Sequence, residues 1–428
     1  MRISPFILLI VVFSFSCIFS PLPERMCQFA EHSSQIFSQG DGFFAFDVRE
    51  YKGRQEKLVI RYFDRRGRQL CINEINYPFS FYNFLVREKD KRSLFLASQS
   101  RSDGRTNLIF EIGVDCQQRN AFLIKSDNYE TISDIQVSGD DIYICGWAES
   151  KNTGILPQSA KPKGELSKIV VEHDMLLAVY DNEFNEKKKV IIGDSNAEYA
   201  FSLAKTSENL LFFTGSVMNF EIDADKNRLL KSVSLLLYQD NFPATWSDIG
   251  NFLYQTDYNL MPFFLKEYDA SNLLIVSMGR MNNSEILGIS LADKKRKNVQ
   301  TILYPIDSLY LPFYPPLIAD QKVFLRFLNI RSGTMDRFYV IDMNKSEGVD
   351  IKIRGVNRLA FSLSENDFYL YYSVLMKPCS ESVYRSEKIT FGNLLNRKIS
   401  KPEMTNEIII NDIKAVKSLK GFSEGGRD

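Results

Sequence analysis

The 428-residue chain carries 53 basic and 53 acidic side chains, so its formal charge is zero. Proteins that bind nucleic acid concentrate basic charge, and this balance excludes nucleic acid as an expected partner. Hydrophobic residues make up 44% of the chain and charged residues 25%, which excludes a disordered chain and predicts a sizeable core. The 33 Phe and 20 Tyr favour strands over helices.

The N-terminal segment has the pattern of an export signal. Arg2 and the amino terminus supply positive charge, and residues 3–19 are uncharged and mostly apolar. A short apolar core behind a basic start is typical of a secretory signal peptide, whereas a retained membrane helix needs about 20 apolar residues. We therefore predict an exported protein, with a retained helix as the alternative.

The end of this segment contains a candidate lipidation site at Cys17. In Phe13-Ser14-Phe15-Ser16-Cys17 a small residue precedes a cysteine. The segment resembles a relaxed lipobox of the kind found in spirochaete lipoproteins, where the cysteine is diacylated and becomes the new N-terminus. The resemblance implies a signal peptide over residues 1–16, an anchor and linker over 17–41, and attachment to a bacterial membrane on its periplasmic side or at the cell surface. The alternative is cleavage near Ser20, with Cys17 discarded.

A pair of apolar segments recurs through residues 42–398. Each copy has a polar turn, a short apolar strand that ends near a small residue, a variable loop, and a second apolar strand that ends at an acidic or Asn turn. The copies begin near residues 43, 93, 141, 209, 272, 322 and 367. This spacing predicts four-stranded sheets. Glycine after the apolar strand, as at Gly146 and Gly215, indicates a bulge or a close backbone approach.

The apolar runs indicate strands that are covered on both sides. Residues 210–213, for example, are continuously apolar, and a single sheet with two apolar faces needs neighbouring sheets to bury them. We predict an all-β fold, a β-propeller with about seven four-stranded blades, and the chain resembles bacterial β-propeller repeat proteins in these strand pairs. Stacked β-sandwiches and a large β-barrel are the alternatives. Within residues 399–428, the segment 407–411 is predicted to close the ring by joining the first blade.

The sequence contains no recognisable catalytic constellation. Its two histidines, His32 and His173, stand far apart, and no nucleophile elbow, zinc-protease motif, P-loop or dinucleotide fingerprint occurs in a usable context. The six cysteines include no CxxC pair, so neither a zinc site nor a disulfide framework is indicated. Cys145 is expected to pack as a small hydrophobe. We therefore predict no catalytic residue, no metal and no cofactor.

Two functions fit these observations. The first is a non-enzymatic, lipid-anchored binding protein at the cell envelope, which presents loops to a protein or glycan partner. The second is a hydrolase or lyase with a site in the central channel of the propeller. A polar channel with converging carboxylates or arginines would favour the enzyme, and a plugged or apolar channel would favour the binding protein.

Overall fold

The computed structural model describes residues 34–422 except for 52–54, 78–83, 100–104, 127–128, 150–172, 194–196, 223–227, 240–252, 256–258, 283, 296–297, 365–366, 376–381 and 391–407. The signal segment and Cys17 lie outside these residues. Every element assigned within them is a β-strand. Accordingly, this part of the chain contains no helix long and apolar enough to span a membrane.

Consecutive strands pair antiparallel and form sheets in chain order. The first sheet comprises β1 (Ser34–Gln39), β2 (Gly42–Tyr51), β3 (Gln55–Asp64) and β4 (Gln69–Tyr77). The second comprises β5 (Phe84–Asp90), β6 (Ser93–Gln99), β7 (Thr106–Gly113) and β8 (Gln118–Lys125). The third comprises β9 (Glu130–Ser138), β10 (Asp141–Glu149), β11 (His173–Asp181) and β12 (Glu186–Ile192). The fourth comprises β13 (Ala197–Lys205), β14 (Leu211–Ile222), β15 (Arg228–Gln239) and β16 (Leu253–Gln255).

The last three sheets depart from four strands. The fifth comprises β17 (Met261–Glu267), β18 (Asn272–Met281), β19 (Ser284–Asp293) and β20 (Asn298–Pro305). The sixth comprises β21 (Tyr310–Pro312), β22 (Leu317–Ala319), β23 (Lys322–Asn329), β24 (Arg337–Asp342) and β25 (Glu347–Ile353). The seventh comprises β26 (Arg358–Ser364), β27 (Asp367–Leu375) and β28 (Ser382–Thr390). The chain then returns as β29 (Ile408–Lys414), which pairs with β25, and β30 (Lys417–Phe422), which pairs with β20.

Apolar contacts between neighbouring sheets close a ring. Successive residues of a strand point to opposite faces, so Phe95 of β6 packs towards the third sheet while Leu96 packs towards the first. The same division recurs around the molecule, and the ring closes where Phe43 of β2 stacks on Tyr371 of β27, with ring centroids 4.4 Å apart. The predicted all-β propeller is therefore confirmed.

The repeat found in the sequence corresponds to the second and third strands of each sheet. The seven predicted starting points fall within two residues of the first residues of β2, β6, β10, β14, β18, β23 and β27. Seven sheets are described, of which four have four strands, the fifth has five, the sixth six and the seventh three. Because β1 belongs to the first sheet, the predicted propeller start at residue 42 falls inside the first hairpin.

The predicted pairing partner of the C-terminal strand was wrong. A strand does form there, but β29 pairs with the sixth sheet rather than the first. The first sheet meets the seventh through side chains, because Phe43 and Tyr371 already cover that interface. The outer edges of β25 and β20 still offered unpaired backbone groups, and the returning chain satisfies them.

Candidate functional site

The first strands of the sheets surround the propeller axis. Contacts between neighbouring first strands join β26 to β1, β5 to β9, β9 to β13, and β13 to β17. We call the space that these strands enclose the axial channel. First-strand side chains near this axis are mixed in polarity, unlike the apolar runs of the second strands. The channel is therefore where polar groups from different sheets can meet.

Glycines on the second strands accommodate bulges in the first strands. In the third sheet the pairing shifts between Cys145 and Gly146, and in the fourth it shifts opposite Gly215. A β-carbon added at Gly215 would lie 2.1 Å from the Tyr199 carbonyl oxygen, which no real side chain tolerates. Glycine is required there because the backbones approach so closely, as predicted from the sequence.

The sixth sheet has a broken first strand. Pro312 of β21 pairs with Phe327, and Leu317 of β22 pairs with Phe324. Residues 313–316 between them contain two consecutive prolines, which have no N–H to donate to a ladder. The break lies beside Arg326 of β23. No residue of β21 or β22 is registered opposite this arginine, and the Phe313 N–H donates a 3.1 Å hydrogen bond to its backbone carbonyl oxygen.

Arg326 lies buried at this break. The residue is only 6% exposed, and its guanidinium carbon lies 4.1 Å from the centre of the Tyr314 ring. Its Nη1 donates a long hydrogen bond of 3.4 Å to the Leu359 carbonyl oxygen. Burial lowers the pKa of Arg326 to about 10, with the nearby charge of Arg87 acting in the same direction. The side chain is therefore charged at neutral pH but poorly solvated.

Tyr314 links this group to the first sheet. It follows β21, and its hydroxyl donates a hydrogen bond to Oε1 of Gln35 on β1, so the contact crosses from the sixth sheet to the first. Burial raises the pKa of Tyr314 to about 12, although Arg326 and Arg358 act in the opposite direction. Tyr314 is therefore neutral and remains a hydrogen-bond donor across the physiological range.

Asp134 on β9 neutralises a second arginine. It forms an ion pair with Nε of Arg87 on β5, and the two side chains are only 4% and 11% exposed. Its other oxygen accepts hydrogen bonds from the Ser202 hydroxyl at 2.7 Å and the Leu203 N–H at 2.8 Å. This carboxylate joins the second, third and fourth sheets, and both of its oxygens already have protein donors.

Lys266 and Glu88 lie within electrostatic range of each other. Lys266 on β17 donates a 3.0 Å hydrogen bond to the Pro316 carbonyl oxygen. Burial lowers the pKa of Lys266, and the charge of Glu88 on β5 opposes that shift. Burial also raises the pKa of Glu88, although the residue as a whole is exposed to solvent. The two side chains therefore form a pair of opposite charges that water reaches at Glu88.

Arg358 adds a fourth cation near the axis. It begins β26, is 8% exposed, and donates through Nη1 to the carbonyl oxygens of Gly333 and Asn357. Burial lowers the pKa of Arg358 to about 10. The axial cluster therefore has four cations and two carboxylates, and we define it by Arg87, Lys266, Arg326, Arg358, Glu88 and Asp134 together with Tyr314. Such an arrangement favours an anionic group.

Of the residues singled out from the sequence, those that the structure describes take no part in this cluster. Cys17 and His32 lie outside the described residues. Cys145 is buried without a disulfide partner, in the packing predicted for it. His173 is the buried first residue of β11, and its Nδ1 lies 3.2 Å from the Tyr199 hydroxyl. Among the residues described, no three His, Cys, Asp or Glu side chains are grouped as metal ligands would be.

A disulfide links the first two sheets. Cys71 of β4 bonds to Cys116 in the turn between β7 and β8, with Cα atoms 5.9 Å apart. The sequence allowed one disulfide without identifying its cysteines. Closing a loop with a sequence separation of 45 residues stabilises a protein by about 4 kcal/mol in the chain-entropy account.

Sequence reasoning missed the axial cluster, although one signal was present. Arg326 interrupts an otherwise apolar run in residues 323–328 and follows the Pro315-Pro316 pair by ten residues. A lone charge inside a strand that is covered on both faces is a feature to explain. The first strands gave no comparable signal because their polar residues are spread over separate sheets.

Comparisons with known proteins leave the function open. No family model matches the chain, and no curated protein matches it. Among solved structures, it is similar to a lignostilbene dioxygenase of Pseudomonas brassicacearum at 9% identity, with a TM-score of 0.34, over 83% of this chain and 69% of that one. A neuraminidase-like protein of subtype N10 from a bat influenza A virus matches at 10% identity, with a TM-score of 0.34, over 83% and 94%. An apocarotenoid oxygenase of Synechocystis matches at 8% identity, with a TM-score of 0.31, over 64% and 58%, so the chain spans just over half of that protein. Likenesses this distant support no argument about activity.

Proposed function

We propose that this protein is an exported, lipid-anchored β-propeller that binds a partner molecule at its axial channel without chemically changing it. The signal-like segment before Cys17 supports export and anchoring. The bond between Cys71 and Cys116 supports the same location, because disulfides persist in oxidising compartments outside the cytosol. The partner is a protein or a glycan of the cell envelope, and nucleic acid is not expected.

The observation that carries the binding proposal is the convergence of polar groups at the axis. Arg87, Arg326 and Tyr314 come from sheets on different sides of the ring and lie within electrostatic range of one another. Such groups are costly to bury, and folds retain them mainly where they recognise something. The Asp134 carboxylate is bound by Arg87 and Ser202. Among the axial residues described, Glu88 therefore has no second free carboxylate to act with.

One observation favours the second candidate function, a hydrolase or lyase. Glu88 retains solvent contact, its pKa is raised by burial, and Lys266 lies within electrostatic range. An acid with a raised pKa beside a basic group is a common starting point for general acid catalysis. In this alternative Glu88 would supply the proton and Lys266 would hold the substrate, and Glu88→Gln would abolish turnover.

The anchor is tested by metabolic labelling of the expressed protein with palmitate. We expect label in the wild type and in a Cys27→Ala control, and its loss in Cys17→Ala. Label that persists in Cys17→Ala would show that the chain is not acylated at this residue.

Binding at the channel is tested on an array of envelope glycans and peptides. We expect the mature protein to bind a member of the array and Lys266→Glu to weaken that binding at least about tenfold, because it reverses a charge at the site. The control is Lys345→Glu, since Lys345 is exposed on the turn after β24. Equal binding by both variants would contradict the channel as the site. Mass spectrometry of the bound molecule separates the two functions, because any cleavage product contradicts a purely binding role.

A further inference from the structure

The geometry around Arg326 points to a subsite for one carboxylate group of the bound molecule. This inference deepens the proposed function and rests on the axial channel being the site of binding. It assigns a ligand class to the channel: a molecule with a carboxylate that Arg326 receives through its in-plane N–H groups.

The charge of Arg326 is not compensated by any carboxylate that the structure describes. Arg87 has Asp134 as its ion-pair partner. Arg326 has no carboxylate within ion-pair distance among the residues described, and its side-chain contacts are one carbonyl oxygen and the Tyr314 and Phe361 rings. A charged residue that is only 6% exposed and has so few acceptors is costly to retain. An anion that enters the channel would remove that cost.

The guanidinium has N–H groups that the described residues do not use. Its carbon lies 4.1 Å from the centre of the Tyr314 ring and 5.3 Å from that of the Phe361 ring. Among the residues described, only its Nη1 forms a hydrogen bond, the long one to the Leu359 carbonyl oxygen. The remaining N–H groups include a pair in the plane of the group that matches a planar carboxylate.

The neighbouring charges set the valence of the ligand. The charges of Arg87 and Asp134 cancel, and Glu88 opposes that of Lys266. Arg326 and Arg358 remain, and Nη1 of Arg358 already donates to the carbonyl oxygens of Gly333 and Asn357. A single carboxylate balances the one charge of Arg326, which is the cation beside the break in the first strand.

Acetate is the probe for this subsite. Saturation-transfer NMR on the acetate methyl group would give a dissociation constant for the full mature protein, with chloride holding the ionic strength constant. We expect Arg326→Met to weaken acetate binding at least about tenfold, because a hydrogen-bonded charge pair is lost. The control is Arg331→Met, which removes an exposed arginine just after β23 and should leave acetate binding unchanged. Arg326→Lys keeps the charge and loses the paired donors, so it should bind with intermediate strength.

Three results would overturn the inference. They are an absence of acetate binding to the wild type, equal binding by the wild type and Arg326→Met, and displacement of acetate by inorganic phosphate at lower concentration than by formate. If Arg326→Met fails to fold, Arg326→Lys gives the same decision. These outcomes can be distinguished from those of the array experiment. If Lys266→Glu loses array binding, the axial channel is still supported as the binding site even if acetate does not bind.

Discussion

The fifth and sixth sheets are neighbours built on the same repeat, yet they meet the axis differently. Asn272 begins β18 and pairs with Asp293, and Lys322 begins β23 and pairs with Asp342. Counting four residues onward places Val276 and Arg326 at equivalent positions. Val276 is paired with Phe264 of an unbroken first strand, β17, whereas Arg326 lies beside the gap between β21 and β22.

This difference shows how a propeller can make room for a charge. Where the first strand is continuous, its backbone and side chains enclose the second strand, and an apolar residue fills the position. Where consecutive prolines interrupt the ladder, Tyr314 and a guanidinium occupy the space instead. The site therefore arises from a local defect in one repeat and not from a separate domain.

The largest effect on stability is expected from placing an arginine in the fifth sheet, whose first strand is unbroken. Val276→Arg buries a guanidinium where the fifth sheet offers no gap and no carboxylate partner, and it should lower the free energy of unfolding by about 3–5 kcal/mol. Urea denaturation measures the loss. The control is Val416→Arg, since Val416 is 48% exposed and should change stability by no more than about 0.5 kcal/mol. A similar small effect at Val276 would mean that the intact sheet also tolerates a buried charge.

A smaller loss is expected when a compensated arginine near the axis loses its partner. Asp134→Asn leaves Arg87 buried without a carboxylate and should cost about 3 kcal/mol in urea denaturation. The matching surface change is Asp41→Asn, which breaks a pair with Arg65 in which the aspartate is 87% exposed and should cost at most about 1 kcal/mol. Equal effects would show that the pair between Arg87 and Asp134 behaves as a surface pair.

The sequence predicted the regular sheets better than the buried arginine beside the broken first strand of the sixth sheet. Second and third strands such as β14 and β18 were recognisable because burial on both faces demands continuous apolar runs. The axial cluster was not, since Arg87, Lys266 and Arg326 come from distant segments and only ring closure brings them together. The partner of β29 was also missed, because the strand pattern of residues 408–410 does not specify which sheet edge it will join.

The smallest expected effect is the pH dependence of stability that Glu88 causes. Glu88 lies within electrostatic range of Lys266 of the fifth sheet. Burial raises the folded-state pKa of Glu88, so the folded state favours the protonated acid. Relative to Glu88→Gln, the wild type should therefore be most stable below the unfolded-state value of about 4.3 and lose that advantage as pH rises through the folded-state pKa. Solvent contact keeps the difference small. The urea midpoints of the two proteins at several pH values measure this difference in stability. A wild type whose stability relative to the variant increases with pH would contradict a raised pKa of Glu88.

The account depends on Arg326 carrying a buried charge that no carboxylate among the described residues balances. Urea denaturation of Arg326→Met, in chloride buffer without carboxylates, tests this. Because methionine fills the same gap without a charge, we predict a free energy of unfolding about 1 kcal/mol or more above that of the wild type, and a smaller gain once acetate is added. A variant that is instead less stable by about 3 kcal/mol would show that the charge is already paired within the fold, and the proposed carboxylate subsite would have to be abandoned.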